Sequence, residues 1–189
     1  MPLEAIAEYE RFVARIDAHC ERVGHAHAEQ LECAPACASC CHRQLTVFAV
    51  EADRIRAWLD SRGGLAPYEP AGDVAAGHPA LLLATHEEAC ALLDRAGRCR
   101  IYPVRPLICR THGLPLAIED DDGSVRGDVC PLNFSSGAGL SAVPSEDFLS
   151  LTTINTVLAT LNARFEAERG DEAAGVRLAL ADLAADPLT

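Results

Sequence analysis

Cys33-Ala34-Pro35-Ala36-Cys37-Ala38-Ser39-Cys40-Cys41 is the stretch on which the reading of this chain turns. Four thiols fall within nine residues, among small side chains and one proline. A packed core has no need of thiols so close together, whereas metal coordination does. A C-x-x-C spacing sets two sulfurs on one tight turn, at a bite suited to one ion or one cluster edge. Cys41 fits less simply. In an extended segment adjacent side chains point to opposite sides. Cys40 and Cys41 are therefore expected to serve different ions, different cluster corners, or one metal and the core.

Outward from this loop lie Cys20, Cys90, Cys99, Cys109 and Cys130, nine cysteines in 189 residues. An odd number suits a disulfide framework poorly. The N-terminus lacks the basic start and apolar run of a secretory signal, so the expected compartment is a reducing, cytoplasmic one. There, clustered cysteines read as metal ligands or redox groups. The net charge of −12 argues against nucleic acid or an anionic membrane as partner. No apolar run approaches the ~20 residues of a membrane span. Apolar residues make up 49% and aromatics only 5%, with Ala and Leu abundant, which favours helices. The length fits a single domain over 1–189.

The expected fold is mainly α with small β-hairpins, the helices packed around a cysteine-rich metal-binding core over 33–130. A first helix is expected over 3–31. Ile6, Tyr9, Val13, Ile16, Cys20, Val23 and His27 form one apolar stripe at steps of three and four. Cys20 on that stripe reads as a small buried hydrophobe. A short extended piece is expected over 44–50, a helix over 51–61 ended by Gly63-Gly64, a loop to residue 78 and a helix over 79–88. Cys90–Asp94 and Cys99–Tyr102 read as a hairpin around Gly97, and 116–118 with 124–129 as a second with an acidic, solvated tip. A helical hairpin is expected over 145–185, with Ser145 as N-cap and Gly170 between the helices.

In the first of these hairpins, a two-residue turn would leave Cys90 and Cys99 about 13 Å apart along the strands. That register forbids a shared mononuclear ion unless the turn widens. Arg95, Arg98, Arg100, Arg105 and Arg110 put five positive charges and no acid between residues 95 and 112. A four-thiolate site holding a divalent ion has net charge −2, which such guanidinium groups would stabilise. The alternative is that they only pair with Glu, Asp and backbone carbonyls. His42 and His112 are candidate nitrogen ligands.

These residues resemble a known family. Cys33-x-x-x-Cys37-x-x-Cys40-Cys41, followed by Cys90-x-Leu-Leu-Asp94, Gly97-x-Cys99-x-Ile-Tyr-Pro-x-Arg105-Pro106 and Cys109-Arg110, is similar to the CxxCxxCC cysteine-cluster family, also called YkgJ-like. The resemblance implies chelation of iron, as an iron–sulfur cluster or as single ions, or alternatively of zinc. It makes Cys33, Cys37, Cys40, Cys41, Cys90, Cys99, Cys109 and Cys130 the metal-binding thiols. How the eight divide among sites stays open. Two further readings stand beside metal chelation: an iron–sulfur-dependent redox or protein-modifying enzyme, and a metal-stabilised interaction module with a protein partner and no catalysis. No Walker loop, G-x-S-x-G or H-E-x-x-H is present.

Overall fold

A computed structural model describes residues 3–34, 37–41, 45–65, 89–94, 96–170 and 175–185. The expected helix over 79–88 and His42 lie outside the described residues. In chain order the elements are α1 (Glu4–Ala26), β1 (Thr46–Val47), α2 (Ala49–Asp60), α3 (Leu107–Thr111), β2 (Leu116–Glu119), β3 (Val125–Asp128), β4 (Leu149–Ser150), α4 (Leu151–Arg169), β5 (Leu178–Ala179) and α5 (Asp182–Ala185). They form two compact units. The first comprises Met1–Cys33 and Leu107–Ala174, the second Ala34–Pro106 and Gly175–Thr189.

In the first unit the stripe of α1 does what its period predicts. Tyr9, Val13, Ile16 and Val23 are buried, and α1 packs chiefly on α4. The facing side chains of α4 are Ile154, Leu158, Leu161 and Phe165. The Glu168 carboxylate of α4 accepts from Ala5 N–H at 3.2 Å, which satisfies an otherwise unpaired amide in the first turn of α1. Arg164 pairs with Glu8 across the same two helices. The sheet has the order β3-β2-β4. β2 and β3 form the second expected hairpin, antiparallel with Leu116 opposite Asp128, and β4 adds to β2 in parallel. Its acidic tip is a solvated turn. Asp122 Oδ1 accepts from Ser124 N–H at 2.9 Å, and that bonding to Ser124 holds the Asp122 carboxyl below its usual range.

The second unit has its own apolar core of Val47, Ala52, Ile55, Leu59, Leu92, Ile101, Val104, Leu180 and Leu183. α2 starts where Glu51 reaches back to accept from Phe48 N–H at 3.1 Å. It ends at Asp60, and the chain turns away through Gly63 and Gly64, both with positive φ.

The helical hairpin expected over 145–185 does not form. Ser145–Asp147 is a 3-10 turn, and α4 begins only after Ser150, whose hydroxyl accepts from Thr153 N–H at 3.1 Å. Ser150, not Ser145, is the cap. Beyond Gly175, at φ +81°, Leu178 and Ala179 leave the helical path and pair antiparallel with Val47 and Thr46. Arg177 fastens that pairing by donating to Thr46 Oγ1 at 2.9 Å and to Thr46 O at 2.6 Å. The last helix is reduced to the four residues of α5. α4 belongs to the first unit and α5 to the second.

Candidate metal centre

The cysteines divide with the units. Cys37, Cys40, Cys41, Cys90 and Cys99 lie in the second, and Cys20, Cys33, Cys109 and Cys130 in the first. All nine are free thiols.

In the second unit, Ser39–Cys41 forms a tight turn in which Cys41 N–H donates to Ala38 O at 2.8 Å. The turn corrects the expectation that Cys40 and Cys41 face apart. That expectation assumed extended backbone, whereas turn geometry brings the two sulfurs to 3.9 Å. A tetrahedral ion with metal–sulfur bonds of about 2.3 Å spans adjacent ligands by about 3.8 Å. The pair therefore already has the separation of one coordination edge.

Cys90 is drawn to this turn by the backbone. Its N–H donates to Cys41 O at 2.5 Å. The chain then reverses at once, with Leu93 N–H donating to Cys90 O at 3.1 Å. Leu93 pairs with Cys99 in a single β-bridge, and Asp94 N–H donates to Arg98 O at 2.8 Å. The loop is pinned by the Asp94 carboxylate, which accepts from the backbone of Ala96 and Arg98 and from the Arg98 guanidinium. The two-residue turn assumed for this hairpin does not form: a wider turn sets Leu93 opposite Cys99. A turn at Cys90 replaces the strand, and the two thiols now sense each other electrostatically.

Cys90 and Cys99 both rest against the apolar core of the second unit. Burial pushes both thiols up from their ordinary value. For Cys90 a backbone hydrogen bond at Leu92 opposes the rise and the nearby Cys40 adds to it. For Cys99 the Ile101 backbone opposes it, Cys90 and Cys40 add to it, and the Arg105 guanidinium counteracts it. Cys40, Cys90 and Cys99 thus form one electrostatically connected group, with Cys41 beside Cys40. Among the described residues no three His, Cys, Asp or Glu side chains have already converged as a metal site. The Cys40–Cys41 edge is the part already at coordination spacing.

The arginines split between the two expected roles. Arg105 acts on Cys99 and lies over the Tyr102 ring at 4.0 Å. Arg98 is taken by Asp94, and Arg110 by Asp17, whose two oxygens it reaches at 2.7 Å. Arg95 lies outside the described residues.

In the first unit, Cys33 is exposed and Cys130 buried, while Cys109 is half-buried on α3. Beside Cys33 stands Asn133, itself 2% exposed. Its side-chain N–H groups donate to Gly113 O at 2.6 Å and to Cys33 Sγ at 3.2 Å, and its Oδ1 accepts from Glu32 N–H at 2.8 Å. Gly113 has φ +97°, and a Cβ there would sit 3.0 Å from Cys33 Sγ. Cys20, expected as a buried hydrophobe, is only half-buried on α1, its thiol donating weakly to Arg110 O at 3.7 Å. His112 is exposed at the end of α3.

Two features escaped the sequence reading. Asn133 carries no motif that marks it. His27, placed by its spacing on the α1 stripe, lies 2.7 Å from the buried carboxylate of Asp147, which also takes Arg22 at 2.5 Å. These partners are 120 and 125 residues apart in sequence, with no local pattern to announce them.

No helix among the described residues is long and apolar enough to cross a membrane. No match was found among curated proteins, and none among solved structures. The family CxxCxxCC, described as a "putative zinc- or iron-chelating domain", matches residues 32–131, which span every cysteine except Cys20. That match covers more than half of the chain and carries both cysteine motifs, and the chain belongs to the CxxCxxCC family.

Proposed function

We propose that this protein binds a divalent metal, zinc or iron, through cysteine thiolates, with Cys40, Cys41, Cys90 and Cys99 as the principal donor set. The observation that carries the reading is the 3.9 Å separation of Cys40 and Cys41 inside the group that Cys90 and Cys99 complete electrostatically. Soft thiolates suit zinc and iron among the common divalent ions. Bound metal would supply a positive charge that offsets the cost of ionising buried thiols. Arg105 compensates part of the remaining negative charge. Cys37, in the same unit, and Cys33, Cys109 and Cys130 of the first unit complete the eight proposed ligands.

Elemental analysis of anaerobically purified protein, together with its visible spectrum, tests this. Colourless protein with stoichiometric zinc, or pale protein with ferrous iron, supports single ions on thiolates. Brown protein with broad visible absorption lost on exposure to air assigns the same thiols to an iron–sulfur cluster. Protein with neither metal, which takes up none when zinc or ferrous iron is added, defeats the proposal. Replacing Cys40 by Ser lowers the metal content, whereas Cys20→Ser leaves it unchanged.

A further inference from the structure

We infer that Asn133 is a positioning residue for a thiolate centre in the first unit, where its amide orients Cys33 and its segment carries Cys130. This rests on the thiolate metal-binding reading above and deepens it for Cys33 and Cys130, two of its proposed ligands. A side-chain amide has one acceptor oxygen and two donor hydrogens. Here every part is committed. Glu32 N–H donates to one end, which identifies it as the oxygen; Gly113 O accepts from the other, which identifies it as the nitrogen. The group facing Cys33 Sγ is therefore an N–H donor, so the sulfur is the acceptor, a role a thiolate fills better than a thiol.

An exposed cysteine needs no buried amide for stability, and burying an amide is unfavourable unless its hydrogen bonds are made. This amide makes them by joining three chain segments around one sulfur. Its backbone continues the pattern. Asn133 N–H donates to Cys130 O at 2.9 Å, and Phe134 N–H donates to Gln30 O at 2.8 Å. Phe134 holds a positive φ of 52°, a conformation rare for a bulky side chain, and its ring packs on His27. Gly113 supplies the last condition, since any side chain there would press on Cys33 Sγ. Groups that hydrogen-bond a ligand outside the metal's own bonds orient it, and losing them costs roughly 10–100-fold in metal affinity.

The test is the rate of iodoacetamide alkylation, read cysteine by cysteine by mass spectrometry in the full chain, with and without stoichiometric zinc. Asn133→Asp keeps the volume and the oxygen facing Glu32 but removes the donors to Cys33 Sγ and to Gly113 O. In the unsubstituted chain zinc should slow alkylation at Cys33 and Cys130 as well as at Cys40, Cys41, Cys90 and Cys99. In Asn133→Asp the zinc needed to protect Cys33 and Cys130 should rise about tenfold or more, with protection in the second unit unchanged. Cys33→Ala should weaken the protection of Cys130, and adding Asn133→Asp to it should weaken it no further. Wild-type protection of Cys33 in Asn133→Asp, or an added loss in the double variant, overturns the inference. Loss of protection at the second unit's thiols in Asn133→Asp would make Asn133 structural only and overturns it equally. Zinc that protects the second unit but not Cys33 defeats this inference alone, whereas zinc that protects no cysteine defeats the functional reading itself.

Discussion

Cys90 and Cys99 rest against an apolar core, with the Arg105 guanidinium acting on Cys99, whereas Cys33 stands exposed and takes a hydrogen bond from a buried amide. Cys33 and the Cys90–Cys99 pair thus sit in opposite surroundings. In the second, burial disfavours the ionised sulfur, so a bound cation would be what makes the thiolate state tolerable. In the first, geometry is fixed in advance by hydrogen bonds and the sulfur remains open to solvent. A metal should therefore matter to folding in the second unit more than in the first.

Metal removal is the most forceful way to break that comparison. Chelation should destabilise the second unit by several kcal/mol, toward the ~10–16 kcal/mol of structural zinc sites. Amide hydrogen exchange resolves the two units within one sample. Exchange in α2 should accelerate far more than in α4, and equal acceleration in both would erase the distinction. Next in size are core truncations. Ile55 is fully buried in the second unit and Leu158 is buried in the first. Ile55→Ala and Leu158→Ala should each cost about 2–5 kcal/mol in urea unfolding. Only Ile55→Ala should also weaken zinc binding by Cys40, Cys41, Cys90 and Cys99.

A smaller effect separates backbone strain from thiol placement. Gly113 and Gly63 both have positive φ, but a Cβ at Gly63 meets open space while one at Gly113 meets Cys33 Sγ. Alanine at either position should cost about 1 kcal/mol or somewhat more for its backbone. Only Gly113→Ala should change the alkylation rate of Cys33. A matching change in Gly63→Ala would show that the thiol responds to general loosening.

What could be read in the sequence was whatever depends on residue type and local period. The α1 stripe, the turn at Gly63-Gly64 after α2, the acidic hairpin tip and the two cysteine motifs all belong there. Pairings made over long separations did not. Cys90 reaches the double-cysteine turn through a backbone bond to Cys41, and no spacing rule encodes it. The strand at Leu178-Ala179 sits in alanine-rich sequence whose intrinsic preference is helical; its pairing with Thr46 and Val47 overrides that preference. The assumption of extended backbone also misplaced Cys41, because a turn with small neighbours on one side lets adjacent sulfurs share a side.

Asp147 offers the mildest and most selective probe, since it belongs wholly to the first unit. The Arg22 guanidinium and then His27 hold its carboxyl below the usual range. The unfolded carboxyl titrates near about 3.9. Above that value the stabilisation from Asp147 is fully present, and it is lost as the pH falls through the lower folded value. Arg22 is half-exposed, so the ion pair contributes no more than about 1 kcal/mol. In zinc-free protein, where thiolate protonation has no metal to release, α4 should lose hydrogen-exchange protection as the pH falls below about 4. Asp147→Asn should flatten that loss without altering α2. An unchanged pH slope in Asp147→Asn would move the first unit's acid sensitivity elsewhere, to pairs such as Arg110 with Asp17 that bind α3 to the flank of α1.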